Sequence, residues 1–483
     1  MEPKVKDYLA TIGIECHVQL KTKTKLFAAV DIADFDSPPN TAISQICLGM
    51  PGALPVLNEK AVELAARAAY TLNTKPQSFS KFDRKHYFYP DLPKGYQISQ
   101  FEEPIILGGF VDVKVSNGTK RVNITRAHIE EDAGKTIHPQ GSDYSLVDLN
   151  RAGTPLLEIV SEPDMHTSEE ARAFAHELYL LMRYAEISDA DLYQGNMRFD
   201  VNVSVSKNSA ELGTRTETKN LNSFRSVEKA VDYEIKRQID LLEAGTRIVQ
   251  ETRGWDDSKQ KTFSQRSKED AHDYRYFPDP DIPPLDLSEE FMKNAIKDMP
   301  ILPTEVRDSL KKLNLDDSTI ETLVEEIRAG KFTLAILNSY NDNTAKRVAN
   351  WLTGEVQGLI ADGEYTWDSI LLDEKNFAEL AELVLDNKIS STNAKVILLD
   401  IVTVGGKPLE IANSKNLLQM SDESGLTEIV SKVLEANPKA VEDLKNGETK
   451  VIGYLVGQVM KESKGQANPQ IAQKLINDLI KSK

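Results

Sequence analysis

Cysteine is scarce in this chain of 483 residues, which contains only Cys16 and Cys47. Two thiols cannot build a framework of disulfides, and they cannot supply the set of thiolates that a cysteine-based zinc site needs. A chain of this length also buries enough apolar surface to fold without either device. Because Cys16 falls in the apolar positions of its segment, we expect it to be a core thiol rather than a nucleophile.

The chain also lacks long apolar runs, and its basic residues are fewer than its acidic ones. No stretch of about 18 apolar residues occurs and no early segment resembles a secretory signal, so we expect a cytoplasmic protein with no membrane partner. Lys and Arg number 58 against 75 Asp and Glu, which gives a net charge of −17. This charge argues against DNA binding and against indiscriminate binding of any nucleic acid. Contact with nucleic acid must be local.

Five stretches of the chain alternate polar and apolar residues with period two, the pattern of strands whose two faces differ. The polar positions are rich in groups that bind metal, protons or phosphate, which predicts one sheet with a charged floor. An antiparallel sheet with one face in water alternates in the same way, so the pattern alone leaves both interpretations open. The polar positions are Glu15, His17 and Gln19; Arg126, His128 and Glu130; Asp148 and Asn150; Arg198, Asp200, Asn202 and Ser204; and Arg215, Glu217 and Lys219.

Two breaks in the pattern divide the chain into three predicted domains. Four prolines between positions 278 and 284 forbid regular structure there, and Gly405, Gly406 and Pro408 mark the second break. Alternating segments dominate before the first break, and amphipathic helices follow it. The predicted domains are residues 1–293, 294–405 and 406–483.

Helical patterns occur in the first two of these domains. Thr167 is predicted to cap a helix, with Glu170 reaching back in a capping box, and a second helix is predicted over residues 225–243. Both helices are expected to back the sheet. In the second domain, Gly330 and Gly354 are expected to end helices.

The third domain differs from the rest in charge. Between Lys407 and Lys483, eleven Lys and no Arg face ten Asp and Glu, so this segment sums to +1 and the remainder to −18. The tail is therefore the part of the chain that repels an anionic partner least. Lys461 and Lys464 are its candidates for contact with a nucleic acid, although a solvated helix end has the same composition.

A run of three carboxylates, Glu130, Glu131 and Asp132, stands close to Lys135. Mutual repulsion disfavours such a run unless a cation lies among the carboxylates, although acidic runs also decorate ordinary loops. Glu15, close to His17, offers a further oxygen ligand for a divalent ion.

Several motifs together resemble the B subunit of the glutamine-dependent aspartyl/glutamyl-tRNA amidotransferase, and the likeness covers essentially the entire chain. The matching segments are IGIECHVQL at 12–20, DRKHYFYPDLPKGYQISQ at 83–100, HIEEDAGK at 128–135, VDLNR at 147–151, EIVSEPD at 158–164, TETKNLNS at 216–223, DYRYFPDP at 273–280, NWL at 350–352, and Gly453, Gly457, Lys461 and ANP at 467–469 in the tail.

The resemblance implies an α+β fold, in which mixed and antiparallel sheets form a cradle similar to the catalytic part of glutamine synthetase. An all-α helical domain and an all-α tail domain that binds tRNA are expected to follow. Relatives often carry two Cys pairs that form a structural zinc site, near positions 28–30 and 44–47. Here Ala28, Ala29 and Val30 fill the first region and only Cys47 remains in the second, so we expect no structural zinc.

The implied activity is that of a carbon–nitrogen ligase with glutamine as amido donor. ATP phosphorylates the side-chain carboxylate of Glu-tRNA(Gln), Asp-tRNA(Asn) or both, and ammonia then displaces the phosphate. The chain lacks an amidase signature, so ammonia is expected from an amidase subunit, with a small linker subunit completing a heterotrimer. The implied cofactors are ATP and Mg²⁺.

The charged floor and the resemblance together nominate the site residues. The expected catalytic residues are Glu15, His17, Glu130, Glu131 and Asp200. The expected magnesium ligands are Glu15, His17, Glu131 and Asp200, with the choice between Glu130 and Glu131 open. Phosphate contacts are expected from Lys85, Arg151, Arg198 and Lys219. Stacking on the tRNA 3′ end is expected from Tyr87, Tyr89 and Tyr96, although packing is an equal alternative for each.

Two other functions fit parts of the pattern. In a non-catalytic tRNA-binding scaffold, the ion cluster would only brace the cradle. A free-standing small-molecule ligase of the glutamine synthetase type would have no use for the basic tail.

Overall fold

The computed structural model describes residues 7–208, 211–267, 273–419, 423–445, 448, 450–463 and 465–481. The chain forms two compact units, which divide between Leu302 and Pro303. The first unit is α+β and the second is helical, so the predicted fold class is confirmed. The domain boundaries predicted after residues 293 and 405 stay predictions, and Lys464 lies outside the described residues.

Strands dominate the first unit. They are β1 (Leu9–Gln19), β2 (Phe79–Ser80), β3 (Asp83–His86), β4 (Tyr96–Ser99), β5 (Ile106–Leu107), β6 (Phe110–Val115), β7 (Gly118–Glu131), β8 (Lys135–Ile137), β9 (Leu146–Asp148), β10 (Pro155–Ser161), β11 (Met197–Ser206), β12 (Thr216–Leu221), β13 (Glu251–Asp256), β14 (Lys261–Ser267), β15 (Phe277–Pro278) and β16 (Leu285–Asp286).

A central sheet runs in the order β14-β13-β12-β11-β1-β10-β7-β5, and β6 pairs with the first half of β7. Its neighbouring strands are antiparallel except β12 and β13, which are parallel. Shorter ladders are β15-β3-β4, β16-β2 and β8-β9. The middle strands therefore present continuous faces on both sides of the sheet.

The alternation in β1 separates the two faces as the sequence predicts. Ile12, Ile14 and Cys16 are buried, and they pack in one core with apolar residues of helices α1 (Glu59–Thr71), α2 (Ser168–Tyr184) and α3 (Phe224–Glu243). Cys16 is thus the core thiol that its position predicts. Because successive strand residues point to opposite sides, the polar residues of the same strand lie on the other face.

Both predicted helices of this unit form. The Thr167 hydroxyl caps α2 by accepting from the N–H of Glu170. The Glu170 carboxylate reaches back to the N–H of His166, one residue before the cap. Helix α3 begins after the cap Ser223 and ends before Gly245, which has a left-handed φ of 73°. A short helix, α4 (Glu289–Ile296), closes the unit.

The second unit consists of helices. They are α5 (Pro303–Lys311), α6 (Asp317–Glu325), α7 (Ile327–Ser339), α8 (Asp342–Trp351), a π-helical turn (Leu352–Val356), α9 (Gln357–Ala361), α10 (Glu374–Leu385), α11 (Ser391–Thr403), α12 (Pro408–Ser414), α13 (Glu423–Ala436), α14 (Pro438–Lys445), α15 (Val451–Glu462) and α16 (Pro469–Lys481). Gly330 lies inside α7 and Gly354 inside the π-helical turn, so the stops predicted at these two glycines are wrong. Among the described residues, no helix combines the length and the apolar character that crossing a membrane requires.

One of the five alternating stretches does not belong to the floor of the sheet. Asp148 ends β9, which pairs with β8 and with no other strand of the described residues. The Asn150 side chain holds a neighbouring segment: its Oδ1 accepts from the N–H groups of Thr41 and Ala42 at 2.8 and 2.9 Å, and its Nδ2 donates to the carbonyl of Pro38 at 2.7 Å. Asp148 Oδ1 accepts from the N–H of Asn40 at 3.0 Å, so both residues hold the segment 38–42.

Candidate active site

The polar face of the sheet is centred on β1. Residues that pair directly across antiparallel strands point to the same face. One row of paired residues crosses β11, β1, β10 and β7 and contains Arg198, His17, Glu158 and His128; in the next row, Asp200 faces Glu15. The charged floor predicted from the alternation is thus present on these strands.

Three side chains form what we call the His17 cluster: His17, Glu130 and Glu158. One potential ligand atom from each lies within 4.8 Å of the others. His17 Nε2 is 3.5 Å from Glu158 Oε2 and 3.7 Å from Glu130 Oε1. Burial would lower the pKa of His17, but its hydrogen bond to Glu158 and the charges of Glu158 and Glu130 raise the pKa to about 9.

His128 contacts the same two carboxylates as His17. Its Nε2 is 3.4 Å from Glu158 and 3.8 Å from Glu130, and its buried Nδ1 has no hydrogen-bond partner among the described residues. Burial would lower the pKa of His128, but the charge of Glu158 and hydrogen bonds to both carboxylates raise it to about 8. In turn, burial would raise the pKa of Glu158, but His128 and His17 hold it well below its usual range. When no metal ion is bound, the protonated forms of His17 and His128 thus offset the charge of the two carboxylates.

A second group, which we call the Glu15 cluster, contains Glu15, Asp200 and Glu217, again with ligand atoms within 4.8 Å of one another. Lys219 Nζ lies 2.8 Å from Asp200 Oδ2 and 3.0 Å from Glu217 Oε1. Asn202 Nδ2 donates to Glu15 Oε1 at 3.1 Å. Burial, followed by the charges of Glu158 and Glu217, raises the pKa of Glu15.

The two clusters are neighbours because β1 contributes to both. Glu15 and His17 are two residues apart on one face of this strand, which corresponds to about 7 Å along it. The expected ligands Glu15, His17 and Asp200, together with Glu130, are therefore brought together, but they are divided between two adjacent groups rather than gathered around one ion.

Glu131 belongs to neither cluster among the described residues. Its Oε1 accepts from the backbone N–H of Ile98 at 2.9 Å and from the ammonium of Lys94. The residue is 4% exposed, and its side chain lies on the opposite side of β7 from that of Glu130. Of the Glu130/Glu131 pair, only Glu130 is in position to bind an ion in the His17 cluster.

The expected phosphate-binding cations surround the clusters. Lys219 bridges two carboxylates of the Glu15 cluster. Arg198 and Arg151 share Asp132, at 3.2 and 3.4 Å, and the charge of Asp132 raises the pKa of Arg198. For Lys85, burial would lower the pKa, but the charge of Glu130 and then of other neighbours raises it. The pKa values of Lys85, Arg198 and Lys219 are all raised, so these three cations remain charged next to the floor.

The expected tyrosines differ in accessibility. Tyr96 is covered by Arg84, whose guanidinium carbon is 4.3 Å from the ring centroid, so packing is its visible role. The Tyr87 hydroxyl donates to Gln97 Oε1 at 3.3 Å, and its ring meets that of Tyr89 edge-on. Tyr89 is 49% exposed. Tyr274, which the sequence did not nominate, lies with its ring centroid 5.1 Å from Lys85 Nζ.

A cavity of about 480 Å³ opens beside the Glu15 cluster. This volume lies within the range of small-molecule binding sites, which combine apolar walls with a few polar groups. Its walls include Glu15, Asn202, Ser161, Thr214, Arg215 and Leu212.

Sequence reasoning missed Glu158, Glu217 and His128 as site residues. Glu217 and His128 were in the alternating pattern, which signals the face but not the neighbours across the sheet. Glu158 stands between the apolar residues Leu156 and Val160 on its face of β10, so no polar alternation marks it. Its pairing with both His17 and His128 is a property of the fold.

The donor sets fit hard divalent cations. Each cluster offers carboxylate oxygens, which magnesium and related ions prefer, and His17 would add an imidazole nitrogen once a bound ion had displaced its proton. The unpartnered Nδ1 of His128 and the raised pKa of Glu15 mark polar groups that the protein alone leaves incompletely satisfied. Adjacent cation sites beside a small-molecule cavity are typical of enzymes that transfer phosphoryl groups.

Fold and site thus define a catalytic cradle. Residues 10–293 match the family described as the GatB/GatE catalytic domain. Residues 331–480 match a second family, described as the GatB domain. The chain belongs to the family of B subunits of the aspartyl/glutamyl-tRNA(Asn/Gln) amidotransferases. Proteins named as this subunit are 46% identical in Caldanaerobacter subterraneus subsp. tengcongensis (98% of this chain, 99% of the relative), 45% in Persephonella marina (98% and 100%) and 43% in Brevibacillus brevis (98% and 99%). The recognised resemblance is confirmed.

Proposed function

We propose that this chain catalyses the ATP-dependent step in the amidation of Glu-tRNA(Gln), Asp-tRNA(Asn) or both. The observation that carries the proposal is the pair of adjacent clusters, Glu15–Asp200–Glu217 and His17–Glu130–Glu158, on one sheet face beside a cavity. The names of the relatives give the substrate class. The chemistry of the floor gives the reaction type.

A carboxylate is a poor electrophile because its charge is delocalised, and phosphorylation turns one of its oxygens into a leaving group. An enzyme for this step must hold anionic partners together with cations. The two clusters would hold Mg²⁺, which when bound would neutralise phosphate charge and polarise the transferred group. Lys85, Arg198 and Lys219 would supply further positive charge from the protein itself.

The layout suggests where each substrate lies. The cavity beside Glu15 has hydroxyl and amide groups suited to a nucleoside, so we place the nucleotide of ATP on this side. Lys85, Tyr87 and Tyr274 lie on the side of the His17 cluster, where we place the acceptor carboxylate and the tRNA 3′ end. The phosphoryl group would then move across the row that contains His17.

The supply of ammonia and the binding of the tRNA body would involve other surfaces of the protein. The chain has no amidase signature, so a separate amidase subunit would release ammonia from glutamine, and a small linker subunit would complete a heterotrimer in the cytoplasm. Lys461, exposed at the end of α15, is a candidate for contact with the tRNA body.

The test uses the assembled heterotrimer, radiolabelled ATP and each misacylated tRNA in turn. Transfer of phosphate to the aminoacyl group should fall about 100-fold or more in Asp200→Asn and Glu158→Gln, because each removes a carboxylate that would hold the magnesium ion on the reacting phosphate. Asp112→Asn, on an exposed surface pair with Arg121, is the matched control and should behave as the unaltered chain.

Affinity for tRNA separates this proposal from the scaffold alternative. An enzyme in which the clusters act only on phosphate should keep its tRNA affinity in both variants. If phosphate transfer and tRNA affinity fell together, the clusters would brace the cradle and the catalytic proposal would be wrong.

A further inference from the structure

Strand β12 contains a bulge directly opposite Asp200. In a regular antiparallel ladder each residue faces one partner, but here Lys219 and Asn220 together face Asp200. Bulges of this kind are frequent next to active sites, where they redirect a side chain or a backbone group. The pairs on either side of the bulge are Phe199 with Leu221 and Val201 with Thr218.

Asn220 makes the bulge possible through its backbone. Its φ is 58°, in the left-handed region that asparagine tolerates better than other residues with a side chain. The side chain itself is exposed to solvent. The backbone conformation, rather than packing of the amide, is what the position requires.

The consequence is a hydrogen bond that a regular strand would not make. The N–H of Asn220 donates to Asp200 Oδ1 at 2.8 Å. The other oxygen, Oδ2, accepts from Lys219 Nζ at 2.8 Å. Asp200 is 4% exposed and is held at both oxygens by neighbouring residues of the bulge.

We propose that Asn220 is a positioning residue: its left-handed backbone directs an N–H onto Asp200 and so fixes the orientation in which this carboxylate joins the Glu15 cluster. The inference rests on the proposed function, since it assumes that the cluster binds a divalent cation. Groups that orient metal ligands typically contribute about 10- to 100-fold in metal affinity or activity.

Substitutions at Asn220 test the role of the backbone directly. In the assembled heterotrimer, Mn²⁺ binding is measured by electron paramagnetic resonance, beside the rate of ATP cleavage at saturating Mg²⁺. Asn220→Ala, which disfavours positive φ, should weaken Mn²⁺ binding to the Glu15 cluster by about 10-fold. Asn220→Gly, which adopts positive φ without strain, should bind Mn²⁺ with an affinity close to that of the unaltered chain.

Two controls separate this proposal from its alternatives. Asn387, at the end of α10, also has a left-handed φ of 57°, so Asn387→Ala carries the same backbone strain and should leave Mn²⁺ binding unchanged. Asp200→Asn should abolish binding to the Glu15 cluster.

The contradicting outcomes are distinct. Equal losses in Asn220→Gly and Asn220→Ala would assign the effect to the amide side chain and overturn the proposal, as would no loss in either. A loss in Asn387→Ala would point to general destabilisation and also overturn it. If Asp200→Asn kept full Mn²⁺ affinity, the metal site of the proposed function would fail as well.

Discussion

Glu15 on β1 and Asp200 on β11 are directly opposite each other in the ladder, although they are far apart in the chain. Their carboxylates would repel at this distance unless a cation lay between them. Lys219 supplies one positive charge, and it contacts Asp200 and Glu217 rather than Glu15. Under the proposed function, the third carboxylate of the cluster, that of Glu15, would be a ligand of the metal ion.

The first prediction concerns the number of bound ions. The unaltered chain should bind two Mn²⁺ ions in the sheet, one in each cluster. Glu15→Gln should remove the first and Glu158→Gln the second, each with a loss of about 10-fold or more in affinity at its own site. Counting bound Mn²⁺ in the assembled complex checks this. A loss of both ions in either variant would mean that the clusters form a single site.

A second prediction concerns Glu131, which is paired with Lys94 and not with the clusters. Glu131→Gln leaves the nearly buried Lys94 without its partner, so the free energy of unfolding should fall by about 3 kcal/mol. The number of bound Mn²⁺ ions should stay the same. Denaturant unfolding gives the first quantity, and the double variant Glu131→Gln/Lys94→Met should recover part of the loss. If Glu131→Gln lost bound Mn²⁺ while its free energy of unfolding stayed unchanged, Glu131 would be a metal ligand and this prediction would be wrong.

The third prediction tests the loop held by Asn150. This residue is 7% exposed, and its side chain makes hydrogen bonds to Thr41, Ala42 and Pro38. Asn150→Ala should lower stability by about 2 kcal/mol because it removes three partly buried hydrogen bonds, each of which contributes roughly 0.5 to 1.5 kcal/mol. Limited proteolysis should then cut residues 38–42 faster. Unchanged cleavage of this segment would show that packing alone holds the loop.

The sequence was informative where a residue's face depends on its own strand. The register of Arg126, His128 and Glu130 placed Glu130 on the floor, and the same register puts the next residue, Glu131, on the other side. The alternation of side chains along the strand alone therefore indicates which of these two glutamates lies on the polar face of the sheet. The predicted helix over residues 225–243 also forms, because its apolar stripe is local.

Other features depend on partners that the sequence does not reveal. Glu158 is surrounded by apolar residues in its strand, and only the strand order brings it between His17 and His128. Gly330 was expected to stop a helix, but it is buried inside α7. Local propensity gave the wrong result there because tertiary contacts outweigh it.

A fourth prediction concerns the tail. Lys461 is exposed at the end of α15, where a phosphate group can approach it. If it contacts one phosphate of tRNA, Lys461→Ala should reduce the slope of log affinity against log salt concentration by about 0.7 to 0.9. Lys388→Ala, at an exposed lysine paired with Asp386, is the control and should leave the slope unchanged. Equal slopes for Lys461→Ala and the unaltered chain would place the tRNA body elsewhere.

The fifth prediction uses Glu234, which is fully buried behind the sheet. Burial would raise its pKa, but hydrogen bonds from Arg237 and Thr262 and the charge of Arg237 lower it; Arg253 is also 3.0 Å away. A carboxyl with a pKa below its unfolded value stabilises the fold above the unfolded pKa, near 4.3, and this contribution is lost as pH falls through the folded pKa. Glu234→Gln should therefore be less stable than the unaltered chain at pH 7 by about 3 kcal/mol, because the buried Arg253 and the half-buried Arg237 each lose a charged partner.

The difference should shrink as the pH is lowered below about 4.3, since the unfolded chain then binds a proton that Glu234 of the folded chain takes up only at lower pH. Denaturant unfolding of both chains at a series of pH values measures it. Glu428→Gln is the matched control, because the pKa of Glu428 is also lowered by a lysine but its side chain is exposed on α13. If the difference in stability between Glu234→Gln and the unaltered chain stayed constant with pH, the shape of the Glu234 side chain, and not its charge, would account for its contribution.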